Sequence, residues 1–75
     1  MEKRLQTSTD VCRRVGAPHY IVDPDNADRI GIVRTHPRRV VWWKFTEATG
    51  YTEDGIGPVP EGAPRLRRGD ESKSN

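Results

Sequence analysis

Cations and indoles gather in one run of this chain, Arg38-Arg39-Val40-Val41-Trp42-Trp43-Lys44. On a strand, alternate side chains share a face, so Arg38, Val40, Trp42 and Lys44 point the same way. A tryptophan between cations on an exposed sheet face combines stacking on a nucleobase with neutralisation of phosphate. Arg34 and Arg39 add charge at the tip of the hairpin, and Arg65, Arg67 and Arg68 form a second basic group that either grips phosphate or keeps that end solvated. Three identities are open to Trp42: a ligand platform, an anchor for a protein partner, or a core ring laid over the strand glycine Gly31.

Catalytic and metal-binding constellations fail on specific pairings. Cys12 and His19 would make a nucleophile and base only if the N-terminal helical turn docks beside the first strand, and a lone buried cysteine is usually a small hydrophobe. His36 reads as a solvated loop residue beside Pro37. Cys12, His19 and His36 lack the paired short spacings of a zinc site. Asp23, Asp25 and Asp28 lack the glycine and closing glutamate of a calcium loop, so turn chemistry accounts for them. The glycines near Gly55 follow no strand-to-helix pattern of a phosphate loop. A protein without enzymatic activity, metal or cofactor is expected.

The elements that would carry these residues are short. Thr7 to Asp10 offer capping oxygens, Val11 and Val15 lie one helical turn apart, and Gly16-Ala17-Pro18 ends the turn. Strands are expected at His19–Asp23, Arg29–Thr35 and Arg39–Phe45, with a possible fourth at Tyr51–Glu53. The loop Thr35-His36-Pro37-Arg38 is even in length, which sets Val33 against Val40, Ile32 against Val41, Gly31 against Trp42 and Ile30 against Trp43. Ile30, Ile32, Val41, Trp43 and Phe45 then share one face, and Gly31, Val33, Val40, Trp42 and Lys44 the other. Residues 55–64, dense in glycine and proline, are expected to be irregular. Leu66 is expected to anchor a last short strand.

The chain has 75 residues, of which 32% are apolar and 32% charged. That apolar share is low, so the core must come from the large side chains between His19 and Thr46. One cysteine excludes an internal disulfide. No apolar run approaches a membrane span, and the basic start is followed by no apolar stretch of a signal peptide, so a cytoplasmic protein without membrane contact is expected. The net charge of +2 is small, but it is segregated: residues 37–46 hold three bases and no acid, and residues 47–62 four acids and no base. A field with two poles follows.

Val15-Gly16-Ala17-Pro18-His19-Tyr20-Ile21-Val22-Asp23-Pro24, then Arg29-Ile30-Gly31-Ile32-Val33, resembles the opening of small SH3-like barrels, KOW-type modules among them. Val40–Phe45 would be their third strand and Leu66-Arg67-Arg68 their closing segment. The resemblance implies binding of nucleic acid, a nucleoprotein complex or a protein. Separately, Thr7 to Pro18 resembles the first helix and turn of excisionase-type or MerR-like winged helix-turn-helix domains. That resemblance implies a recognition helix from Pro18 and a wing over residues 29–45, although Asp23-Pro24-Asp25-Asn26 would break such a helix early.

These readings converge on a mainly β fold. A small SH3-like barrel of four to five short strands is expected over residues 7–68, with a short N-terminal helical turn, a flexible stretch at 1–6 and a disordered tail at 69–75. The expected function is a non-catalytic binding module for nucleic acid or a nucleoprotein machine, acting through Arg34, Arg38, Arg39, Trp42, Lys44, Arg65, Arg67 and Arg68. There are two alternatives: a protein–protein adaptor or inhibitor, built on the acidic 47–62 segment, and, from the second resemblance, an excisionase-like winged helix-turn-helix DNA-binding protein.

Overall fold

The computed structural model describes residues 4–34, 39–62 and 65–71. Helix α1 (Ser8–Val15) precedes strands β1 (His19–Asp23), β2 (Asn26–Val33), β3 (Arg39–Thr46), β4 (Gly50–Pro58) and β5 (Arg67–Arg68). The fold is mainly β: one antiparallel sheet in the order β4-β3-β2-β1-β5. It is open, with β4 and β5 as its edges, so no barrel is closed by strand pairing among the described residues.

The helix is set by its ends. Thr7 Oγ1 accepts from the Asp10 N–H and Asp10 Oδ2 accepts from the Thr7 N–H, both at 3.1 Å, a reciprocal cap that satisfies two orphan donors. Gly16, at φ 70°, turns the chain out of the helix, and the Ala17 N–H closes on the Cys12 carbonyl at 2.9 Å. Strand β1 then occupies residues 19–23. The helix-turn-helix resemblance requires a recognition helix there, and the chain does not form one: Tyr20-Ile21-Val22 is β-prone, and Pro24 stops any helix.

Loop parity governs the centre of the sheet as expected. Arg29 pairs with Lys44, Ile30 with Trp43, Gly31 with Trp42 and Ile32 with Val41. Val11, Cys12, Ala17, Tyr20, Ile30, Ile32 and Trp43 form a core under α1, joined by Leu5, Val15, Val22, Val41 and Tyr51. Phe45 meets Tyr51 edge-on at 5.2 Å on that same side. Ile21, Val40 and Trp42 form a second, smaller core on the opposite face, with Val33 and Val59 against it. Burial on both faces explains why Val40 to Trp43 is a continuous apolar run and not an alternating one.

Three expectations about the chain's edges are corrected. Residues 55–58 are strand: β4 runs to Pro58, held by Val41 opposite Ile56 and Val40 opposite Gly57, with a bulge at Asp54-Gly55 absorbing the irregularity. The stretch before the helix is anchored, because the Leu5 carbonyl accepts from the Tyr51 N–H at 2.8 Å. The start of the tail is anchored too. Gly69 N–H donates to the Pro18 carbonyl at 2.7 Å, and the Tyr20 hydroxyl, on a side chain 1% exposed, donates to the Glu71 carbonyl at 2.8 Å. The remaining parts of those expectations, residues 1–3 and 72–75, lie outside the described residues.

The Tyr20 contact predicts an asymmetry. Ending the chain at Arg68 leaves a buried hydroxyl without its acceptor and should cost about 1–3 kcal/mol, whereas Tyr20→Phe, which removes the donor, should cost no more than about 1.5 kcal/mol. Urea denaturation of the two variants checks the order.

Candidate functional site

Trp42 does not face solvent. It is 5% exposed, packed with Ile21 and Val40 and covered by Val33 and Val59. The Arg29 guanidinium lies over its ring at 4.1 Å from the centroid. Arg29 is itself held from two sides: Nε donates to Asp54 Oδ2 at 2.9 Å and Nη1 to Asp23 Oδ2 at 3.1 Å. Burial works against the charge of Arg29, but these two carboxylates outweigh it and hold its pKa above the ordinary value. Of the three identities open to Trp42, the structure supports the core ring laid over Gly31 and not the stacking platform that the expected binding strand required; the cation on it is an ion-paired neighbour. Of the expected companions on that face, Lys44 is exposed and Arg38 lies outside the described residues.

The cations are gathered instead at one end of the sheet. Antiparallel pairing brings the start of β1, the end of β2, the start of β3 and the whole of β5 together: His19 pairs with Val33 and with Arg68, and Tyr20 with Arg67. Arg34 follows Val33 directly and Arg39 opens β3, so both stand at this same end. The β2–β3 register, carried past its last pair, sets Arg34 opposite Arg39. Alternation puts both side chains on the helix side, and Arg34 lines a small cleft there with Val15, Trp43 and the acid Glu53. Arg13, in the last turn of α1, borders a groove of about 550 Å³ with Cys12, His19, Arg68, Gly69 and Asp70.

Arg13, Arg34, Arg39 and Arg67 make no ion pair among the described residues. Arg68 meets Asp70 at 3.6 Å and Arg65 meets Glu71 at 3.0 Å, both pairs in solvent, where such contacts stabilise little. Glu61, beyond the end of β4, is exposed. The far end of the sheet carries the opposite sign. The β1–β2 and β3–β4 turns lie there with Asp25, Asp28 and Glu47 exposed. The acids of the two turns thus lie away from the basic end, while Glu61, Asp70 and Glu71 stay near it.

Of the residues expected to bind, Arg34, Arg39, Arg67 and Arg68 are brought to this end, and Arg65 precedes β5. Lys44, opposite Thr52 and Arg29, sits apart. Arg13 and His19 join the group without having been expected. Val11 and Val15 facing the core already force Arg13 and Arg14 outward on a helix, so periodicity held that signal.

Cys12 and His19 do border one groove, but the thiol is 3% exposed and burial pushes its pKa up to about 11. A thiol so held is protonated and unreactive at neutral pH. Iodoacetamide should therefore modify folded protein no faster than the protein unfolds. The folded state keeps this proton longer than the unfolded state, so stability is complete below the ordinary thiol value and declines as pH rises towards 11. That decline should be shallower in Cys12→Ala.

The aspartates near Pro24 make turns. Asp23 Oδ1 accepts from the Asp25 N–H at 2.9 Å and Asn26 Oδ1 from the Asp28 N–H at 3.0 Å. No group of three or more His, Cys, Asp or Glu that could hold a metal ion occurs among the described residues. No helix among them is long and apolar enough to cross a membrane.

Comparison with protein-family models, with curated proteins and with solved structures returns no match for the chain.

Proposed function

We propose that the protein is a non-catalytic binding module that grips the phosphate backbone of nucleic acid with the basic end of its sheet. One observation carries this reading: Arg39, Arg34, His19 and Arg68 stand at one end of four neighbouring strands, β3, β2, β1 and β5, with Arg13 beside them; by alternation Arg34 and Arg39 project on the helix side and His19 and Arg68 on the other. Four adjacent strands span about 14 Å at the usual strand spacing. Successive phosphates lie about 3.4 Å apart along a strand axis, so a backbone crossing this end of the sheet passes about four of them. Phosphate contacts position a ligand without reading its sequence, which suits a surface of arginines lacking an exposed aromatic ring. A single buried thiol suits a reducing cytoplasm.

Fluorescence anisotropy with a labelled single strand and a duplex tests the proposal. Four phosphate contacts give a slope of about −2.8 in log K against log salt for a single strand, so affinity should fall about fifty-fold between about 50 and about 200 mM salt. Arg34→Gln and Arg39→Gln should each flatten the slope by about one and weaken binding to all sequences alike. Lys44→Gln should change neither. No binding at low salt, or a slope indifferent to Arg34 and Arg39, would overturn the reading.

A further inference from the structure

Among the described residues, strand β4 presents an edge that the chain's own N-terminal segment has begun to occupy. The Tyr51 N–H points outward to the Leu5 carbonyl at 2.8 Å, so an extended stretch of chain already hydrogen-bonds to this edge. Beyond Tyr51, no outward backbone hydrogen bond is made from residues 52–57 among the described residues. Backbone groups alternate in direction along a strand, so Glu53 offers its N–H and carbonyl on the same outer side as Tyr51. Three residues further along, past the bulge, is Ile56, 70% exposed and the most exposed large apolar side chain of the molecule among the described residues.

An open edge of this kind is a template for a further strand. Charge selects the strand. Residues 47–62 hold Glu47, Glu53, Asp54 and Glu61 and no base; within the open stretch 52–57 Asp54 is already paired with Arg29, which leaves Glu53. A second copy paired antiparallel across β4 would bring these acids towards their own counterparts, which is unfavourable between directly opposed positions. An added strand carrying lysine or arginine beside Glu53 and an apolar residue beside Ile56 meets both features. The bulge at Asp54-Gly55 and the proline at 58 limit the docking length to a few residues, so the contact is short and reversible.

We infer that the open part of β4, residues 52–57, accepts a short basic extended segment of a protein partner by strand addition. This surface adjoins the basic end of the sheet, since Glu53 shares a small cleft with Arg34, and the two ligands, a peptide strand and nucleic acid, distinguish the two sites.

The test is an amide NMR titration of the full chain with a ten-residue peptide of alternating lysine and valine. Its controls are an alternating glutamate–valine peptide and the lysine peptide N-methylated at every second residue. The inference predicts shifts and slowed hydrogen exchange at Glu53 and its neighbours with the lysine peptide alone. Glu53→Lys should weaken that binding about tenfold, and its side chain is exposed, so an unchanged circular dichroism spectrum will show that the fold is kept. Equal binding of the acidic or N-methylated peptide would overturn strand addition by a basic segment. So would shifts confined to Arg13, Arg34 and Arg39. Concentration-dependent shifts of residues 52–57 without peptide would overturn it in favour of a second copy. Failure of this titration leaves the anisotropy result untouched, and loss of nucleic-acid binding leaves this one untouched.

Discussion

Trp42→Ala should strongly destabilise the protein rather than yield one of wild-type stability that no longer binds. The ring closes the smaller core between Ile21, Val40, Val33 and Val59, and removing a buried tryptophan costs about 3–5 kcal/mol. A chain of this length has about 4–11 kcal/mol of stability in total. The substitution also removes the surface under the Arg29 guanidinium, a contact worth about 0.5–2 kcal/mol, and uncovers Gly31. Thermal unfolding followed by circular dichroism should show a broad transition shifted far below that of wild type, and Trp42→Phe should recover most of the loss. A Trp42→Ala protein with wild-type melting but no nucleic-acid binding would mean that the ring is a ligand platform after all.

Gly31→Val should be nearly as damaging, for the opposite reason. A Cβ at Gly31 would sit 2.9 Å from Val40 Cγ2 and 3.1 Å from both Ile21 Cγ1 and Trp42 Cζ3. The three side chains that form the small core have closed over the glycine, and valine adds two more methyl groups to a space that does not hold the first carbon. Overpacking of this kind costs about 3 kcal/mol, against about 1 kcal/mol for Gly31→Ala, where the neighbours need give only a few tenths of an ångström. Equilibrium unfolding in urea separates the two. Equal stability of Gly31→Val and wild type would contradict the packing of Trp42 over β2.

These two residues also mark where sequence reasoning reaches and where it stops. The pairing of Gly31 with Trp42 followed from the parity of a four-residue loop and the period of a strand, both local quantities. The caps at Thr7 and Gly16 were legible for the same reason. The direction of exposure of Trp42 was not. Its cover is Val59, 17 positions later, and Arg29, recruited through Asp23 and Asp54; only the folded sheet brings these together. Likewise, Gly55 and Pro58 argue against a strand on propensity, and pairing with Val40 and Val41 overrides them. The tail is fixed by Tyr20 reaching Glu71 across 51 positions, which no local pattern announces.

The candidate site shows the same division. Each arginine was visible as a residue, and the chain's two poles were visible as runs of like charge. Their convergence at one end depends on strand order, which places the end of β2, the start of β3 and β5 around the start of β1. The sequence run Arg38 to Lys44 suggested a site along one strand. The fold instead supports a site across the ends of four.

The most direct measurement of that claim is an amide and arginine side-chain NMR titration of the wild-type protein with a short DNA duplex and a single strand at low salt. The account predicts shifts clustered at Arg13, His19, Arg34, Arg39, Arg67 and Arg68, reversed by added salt, with Lys44 and the turns holding Asp25 and Glu47 unmoved. Shifts centred on Lys44 and Thr52, or none at any of the basic-end residues, would contradict it.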